Sequence, residues 1–207
     1  MRVVILGAGG HGRVVAECAQ AIGGFELIAF LEQTDVRNGS FEFGVPVHGP
    51  LITPQQLSAQ GILLGIGQNG KRLALFAQMR AEKFSLPTLI HPRAWVSPSA
   101  VLGAATVVMA NATVQTCCRL GSAVIINTNA SVDHDSVISD GVHVSPGAHL
   151  AGNVFVGEGT HIGIGASVIE GIRIGAGCLI AAGAVVVRDV LDGQRVAGIP
   201  ARSMKLK

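Results

Sequence analysis

Tyrosine is absent from the 207 residues, aromatic side chains of all kinds make up 4% and charged residues only 14%. A disordered chain needs high net charge and low hydrophobicity. This one has a net charge of +2 and is 49% hydrophobic, so it must fold around a core. No basic run stands out, which excludes the electrostatic footprint of a nucleic-acid-binding protein. Long apolar runs are missing too. Stretches such as 101-VLGAATVVMA-110 are broken well short of the roughly 18 residues that span a bilayer, so no membrane insertion is expected. The opening apolar run passes straight into a Gly-rich turn without the tail of a cleaved leader, the pattern of a mature cytoplasmic chain. The four cysteines, Cys18, Cys117, Cys118 and Cys178, lack C-x-x-C metal spacing, and the adjacent pair is a poor disulfide framework, so buried free thiols are expected.

Glycine, by contrast, is abundant at 28 residues, and composition shifts sharply near residue 88. Six of the seven Phe lie before that point, whereas the remainder is rich in Val, Ile, Ala and Gly. Two domains are expected, 1–88 and 89–207. In the first, short β-branched runs at 2–7, 25–32 and 62–67 alternate with helical patterns at 13–23 and 71–83. That alternation predicts βαβ units on a Rossmann-like parallel sheet of three or four strands.

Gly7, Gly9 and Gly12 satisfy G-x-G-x-x-G between the first strand and the first helix, and Glu32 follows about 20 residues later. Glycines let a backbone approach an anion closely, and a helix start offers unpaired N–H groups to a phosphate. A diphosphate-bearing ligand is expected at Gly9, Gly10, His11 and Gly12. An NAD-dependent oxidoreductase is disfavoured, because so small a sheet leaves no room for a second mononucleotide half and the rest of the chain would have no role. The loop 65-GIGQNGKR-72 ends at the same carboxyl edge of the sheet, which makes Gly67, Gln68 and Asn69, with Lys71 and Arg72, further candidates for the ligand.

The second domain has a period of six. Every sixth position from 90 to 186 is Ile, Val or Leu, 17 in succession, an outcome with chance odds on the order of one in 10⁹. Four residues after most of these comes a small side chain, as at Ala112, Cys118, Ala130, Ala148 and Ala184. A large and a small inward residue on each rung predict a solenoid of short parallel strands. The pattern resembles that of the hexapeptide-repeat acyltransferases, which implies a left-handed β-helix with three rungs per coil, five to six coils between 90 and 191, and a homotrimer. Residues i and i+18 then stack about 4.8 Å apart.

On that repeat Gly152 falls directly over His134, placing a backbone N–H beside an imidazole with no side chain between them. This is the makings of a general base beside an oxyanion donor. His143 is half a coil from His134, so the two can meet only across a subunit interface. His161 stacks over His143 and His149 lies on the neighbouring rung, positions that suit surface or interface histidines.

The stretch 126-INTNASVDHDSVISDGVHVSPGAHLAGN-153, with 5-ILGAGGHGRVV-15 and 196-VAGIPAR-202, resembles the hexapeptide acetyltransferases of nucleotide-linked amino sugars and of sialic acids, over essentially the whole chain. The resemblance implies a nucleotide-sugar-binding first domain and acetyl-CoA in the groove between adjacent β-helices. Carried over by residue, His134 is the base, Asp135 orients it, Asn127 helps order it and His143 approaches from a partner subunit. Gly152 holds the acetyl carbonyl, and Ile164 and Ala182 line the coenzyme. The expected activity is N-acetylation of the 4-amino group of a UDP-4-amino-dideoxysugar for glycan biosynthesis, by direct transfer and without a metal. Two alternatives stand beside it: O-acetylation of sialic acid or CMP-sialic acid, and a zinc enzyme of the trimeric carbonic anhydrase type with His134, His143 and His161 as ligands.

Overall fold

The computed structural model describes residues 1–204, and the chain divides into two compact units, Met1–Leu89 and Ile90–Lys207. The first is an α/β unit. Its elements are β1 (Arg2–Leu6), α1 (Gly10–Ile22), β2 (Glu26–Leu31), a 3-10 turn (Asp35–Arg37), β3 (Phe41–Glu42), β4 (Val45–His48), β5 (Gly61–Leu64) and α2 (Asn69–Ala81). Val3, Val4 and Ile5 of β1, Phe30 of β2 and Ile62 of β5 are fully buried, so the continuous apolar runs mark strands covered on both faces.

The strand order is β3-β4-β2-β1-β5, with β4, β2, β1 and β5 parallel. The sheet is larger than the expected three or four strands. The stretch between β2 and β5, which carries Pro46 and Pro50, folds into the antiparallel pair β3 and β4 and adds an edge. Both helices also begin earlier than their apolar periodicity suggests, at Gly10 and Asn69, because the Gly-rich and Asn-Gly turns form the first helical turn rather than precede it.

The second unit is a parallel β-solenoid. Two-residue strands recur on three faces and, up to the last coil, pair with the strand 18 residues on, as in Thr113↔Ser131, Arg119↔Val137 and His143↔His161. The first face carries Val107–Val108, Ile125–Ile126, His143–Val144, His161–Ile162 and Leu179–Ile180, closed by Arg195–Ala197. The second carries Trp95–Val96, Thr113–Val114, Ser131–Val132, His149–Leu150, Ser167–Val168 and Val185–Val186. The third carries Val101–Leu102, Arg119–Leu120, Val137–Ile138, Phe155–Val156 and Arg173–Ile174.

The interior is one file of aliphatics, with Val108, Val114, Ile126, Val132, Ile138, Val144, Leu150 and Ile162 at 0–1% exposure. Each such side chain contributes roughly 1.5–3 kcal/mol by leaving water. The small residues expected inside are there: Ala112, Cys118, Ala130 and Ala148 are buried where the chain turns an edge. Polar small residues at this position close hydrogen bonds that the strands cannot. Ser136 Oγ donates to the Ala151 carbonyl at 3.3 Å and accepts the Val154 N–H at 3.1 Å.

A second rule governs the edges. The third residue after each inward aliphatic has a positive φ at all fourteen positions from Ala105 to Gly183, seven of them non-Gly residues including Asn129, Asp135 and Asn153. Left-handed backbone favours Gly, Asn and Asp. Asp135 (φ 59°) is therefore a turn residue as well as a neighbour of His134.

Candidate active site

The edge between the second and third faces carries His134. It follows Val132 by two residues and its ring projects outward, with its side chain and that of Asp135 each 59% exposed. Nδ1 of His134 lies 2.9 Å from Oδ2 of Asp135. A carboxylate can only accept, so Nδ1 donates and Nε2 is left as the atom able to take a proton. Gly152, one coil on, lies against the ring. A Cβ built there would sit 2.5 Å from both Cε1 and Nε2 of His134, so glycine alone lets the imidazole lie over the backbone. Among the described residues the Gly152 N–H donates no hydrogen bond. The structure thus brings His134, Asp135 and Gly152 together.

Asn127 is not part of that group. It leaves the end of the first-face strand Ile125–Ile126, and its Nδ2 lies 3.1 Å from Nε2 of His143 on the same face. Within one chain Asn127 and His134 stand on different edges of the prism, and the 16-residue offset pairs Asn127 with His143. The amide donates, so Nε2 of His143 is the acceptor. His143 is buried at 9% exposure, and its ring meets His161 edge-on at 4.8 Å between centroids. His161 repeats the arrangement, with Nε2 3.1 Å from Ser145 Oγ. Exposed His149 lies 2.9 Å from Ser131 Oγ through Nδ1.

Ile164 and Ala182 stack on the edge between the first and second faces, where the Gly183 N–H donates to the Ile164 carbonyl at 2.8 Å. Ile164 is 62% exposed, an apolar side chain in solvent. Within one chain these two and His143 are on one side of the solenoid, and His134 with Gly152 on another. Among the described residues, no three His, Cys, Asp or Glu are grouped to hold a metal ion. The thiols of Cys18, Cys118 and Cys178 are buried, but Cys117 is exposed, against expectation, because it takes a left-handed edge position rather than the inward one.

In the α/β unit, β1 lies between β2 and β5, so the chain leaves β1 toward opposite sides and opens a crevice at the strands' carboxyl ends. A cavity of about 560 Å³ lies there, lined by Leu6, Gly7, Glu32, Thr34, Ile66 and Lys71 among others. Gly9 and Gly10 are exposed, nothing lies within 4 Å of a Cβ built on either, and the first turn of α1 has no side-chain cap. The backbone of Gly9 and Gly10 there is accessible to an anion. Gly7 and Gly12 have a different duty. A Cβ on Gly12 would come within 2.0 Å of the Gly7 carbonyl oxygen, so these two glycines let α1 pack on the turn.

Other expected ligand contacts are engaged elsewhere. Glu32 lines the cavity, but its Oε1 accepts the Ala8 N–H at 2.8 Å and braces the turn. Arg72 is 1% exposed, and its guanidinium donates to the carbonyls of Ile66 (3.2 Å) and Gly67 (2.9 Å) and to Asn69 Oδ1 (3.0 Å). Gly67, Asn69 and Arg72 therefore hold the β5–α2 loop together. Gln68 is exposed as the residue preceding α2. His11 is partly buried beside this loop; burial first, and then the Arg72 charge, push its pKa down to about 4. Burial also pushes the Arg72 pKa down to about 10. The sequence reading missed the cavity residues Gln33, Thr34 and Thr53, which come from segments without regular strand or helix pattern.

A βαβ unit with an anion-ready helix start, followed by a hexapeptide solenoid with a carboxylate-oriented histidine on one edge, defines a two-part hexapeptide transferase. Family models agree: residues 2–79 match the PglD N-terminal domain and 153–188 match the bacterial transferase hexapeptide (six repeats). The acetyltransferase domain of PglB from Neisseria gonorrhoeae, solved in complex with acetyl coenzyme A, is 43% identical over 98% of each chain with a TM-score of 0.89. A histidine variant of perosamine N-acetyltransferase from Caulobacter crescentus, solved with CoA and GDP-perosamine, is 38% identical, covers 99% of this chain and 97% of its own, and has a TM-score of 0.93. UDP-N-acetylbacillosamine N-acetyltransferase of Bacillus subtilis is 43% identical over 113 residues, 52% of this chain and 51% of that protein, so the match spans about half of that relative. The chain belongs to the hexapeptide-repeat acetyltransferase family. Among the described residues no helix is long and apolar enough to cross a membrane.

Proposed function

We propose that this protein transfers the acetyl group of acetyl-CoA to the amino group of a nucleotide-linked amino sugar, with His134 as general base. The observation that carries the reading is the 2.9 Å pairing of His134 Nδ1 with Asp135, with the ring held over Gly152. Asp135 fixes the tautomer in which Nε2 is free and stabilises the imidazolium that forms. Nε2 takes a proton from the substrate amine as its nitrogen bonds to the thioester carbonyl carbon. The Gly152 N–H meets the negative charge that develops on the carbonyl oxygen, and the imidazolium returns its proton to the sulfur as the C–S bond breaks. An imidazole accepts protons near neutral pH, which suits the step. No covalent acyl-enzyme is required, and the buried Cys118 and Cys178 offer none.

The Ile164 and Ala182 edge suits the apolar length of a pantetheine arm, but it is not on the His134 edge of the same chain. A complete site therefore takes His134, Asp135 and Gly152 from one copy and the edge with His143, Ile164 and Ala182 from a neighbouring copy, in a closed homotrimer. The nucleotide occupies the crevice of the α/β unit, its diphosphate at the open first turn of α1. Amino-sugar substrates of the relatives favour a UDP-4-amino-dideoxysugar or GDP-perosamine over a sialic acid. The test is thiol release from acetyl-CoA with UDP-4-amino-4,6-dideoxy-N-acetylglucosamine, GDP-perosamine, sialic acid and CMP-sialic acid as acceptors. Release with an amino sugar is expected; release with the sialic acids alone would reassign the chemistry to oxygen.

A further inference from the structure

The edge that carries His134 continues toward the N-terminal coils as a connected set of hydroxyls. Thr116 lies 18 residues before His134, and its carbonyl accepts the Asp135 N–H at 3.0 Å, so it is the residue directly on the other side of the imidazole from Gly152. Thr116 Oγ1 lies 2.8 Å from Ser99 Oγ, and Ser99 Oγ lies 3.0 Å from Ser97 Oγ and accepts the Cys117 N–H at 3.0 Å. Thr116 and Ser99 are exposed, unlike the inward hydroxyls Thr106, Ser136 and Thr160, which close the backbone of the interior.

We propose that Thr116, supported by Ser99, is an acceptor-sugar contact of the active site. The inference rests on the acetyltransferase reading and deepens it by assigning the two sides of His134. Gly152 lies against Nε2 on the C-terminal side, so the acyl carbonyl belongs there. The sugar ring carrying the attacking amine then extends over the opposite side, where Thr116 is the first side chain it meets. Ser99 fixes the Thr116 hydroxyl through their shared hydrogen bond, so that Oγ1 meets a hydroxyl or amide substituent of the ring in a set direction. A neutral donor–acceptor pair of this kind suits the hydroxyl and amide substituents of a sugar ring and brings no positive charge for a diphosphate.

The experiment is steady-state kinetics of Thr116→Val and Ser99→Ala beside the unaltered protein, with UDP-4-amino-4,6-dideoxy-N-acetylglucosamine and GDP-perosamine as acceptors, accompanied by thermal melts. Valine keeps the shape of threonine and removes one hydroxyl. Loss of one neutral hydrogen bond to substrate is expected to raise the KM for the amino sugar about three- to tenfold in Thr116→Val, and less in Ser99→Ala. The KM for acetyl-CoA should stay unchanged. A purely structural hydroxyl would lower the melting temperature and leave the acceptor KM alone, and that result overturns the assignment while leaving the acetyltransferase reading intact. A raised KM for acetyl-CoA in place of the sugar also overturns it, because the coenzyme would then occupy the Thr116 side. If the unaltered protein releases no thiol with either amino sugar, the acetyltransferase reading falls, and this contact falls with it.

Discussion

Two histidine environments on one solenoid differ in every property that chemistry uses. His134 is exposed, its partner is a carboxylate on Nδ1, and its Nε2 lies over a glycine. His143 is buried, its partner is an amide on Nε2, and its ring packs on a second imidazole. The same six-residue repeat builds both. What separates them is the position within the rung: a residue two past the inward aliphatic projects from an edge, whereas one just before it lies on a face beside the neighbouring coils. Location on the rung therefore sorts an exposed, carboxylate-paired imidazole from a buried, amide-paired one.

Removal of the two rings is the widest test of that difference. His134→Ala should lower kcat roughly 10²- to 10⁴-fold, the range for loss of a positioned general base. His143→Ala should stay within about tenfold of the unaltered enzyme in the same assay, since its ring packs on His161 and is held by the Asn127 amide. Equal losses, or the larger loss at His143, would break the comparison.

Gly152 sharpens it. Alanine there places a methyl 2.5 Å from Cε1 and Nε2 of His134. The atoms that must yield are the far end of an exposed side chain, so the ring swings away at little cost to folding. Displacement of a catalytic group by about 1 Å costs on the order of 10² in rate. Gly152→Ala should therefore melt within a few degrees of the unaltered protein and turn over about a hundredfold more slowly. A variant with unchanged kcat would show that the ring need not lie over the Gly152 backbone.

How much of this was open to the sequence follows from the same geometry. A strict period with no insertion makes arithmetic reliable, so the stacking of Gly152 on His134 and of His161 on His143 is legible in the sequence. The edge rule was missed because its signal is a φ sign shared by Ala, Asn, Asp, Cys and Gly, and only Gly is conspicuous in a sequence. The α/β unit was less legible. Its βαβ pattern and glycine turn were plain, but Gly67, Asn69 and Arg72 sit in a loop whose backbone carbonyls turn inward, and side-chain type alone does not say that a guanidinium will be buried to satisfy them. The partner of Asn127 was hidden for a related reason: it is the 16-residue offset, not the 18-residue repeat, that brings it to His143.

His11 extends the comparison to a partly buried histidine outside the solenoid and carries the smallest of these effects. Its pKa is about 4 in the folded protein, through burial and then Arg72, against 6.5 in an unfolded chain. Between those values the unfolded state binds more protons than the folded one, so stability falls as pH drops from about 6.5 toward 4. From neutral pH to pH 5 this group alone accounts for at most about 2 kcal/mol, at about 1.4 kcal/mol per pH unit below 6.5. Urea unfolding of the unaltered protein and of His11→Gln at pH 7 and pH 5 isolates it. Glutamine does not titrate, so the variant should lose less stability than the parent between the two pH values whatever its stability at pH 7. An identical loss in both would place the acid sensitivity elsewhere and show His11 to be open to protonation in the folded state.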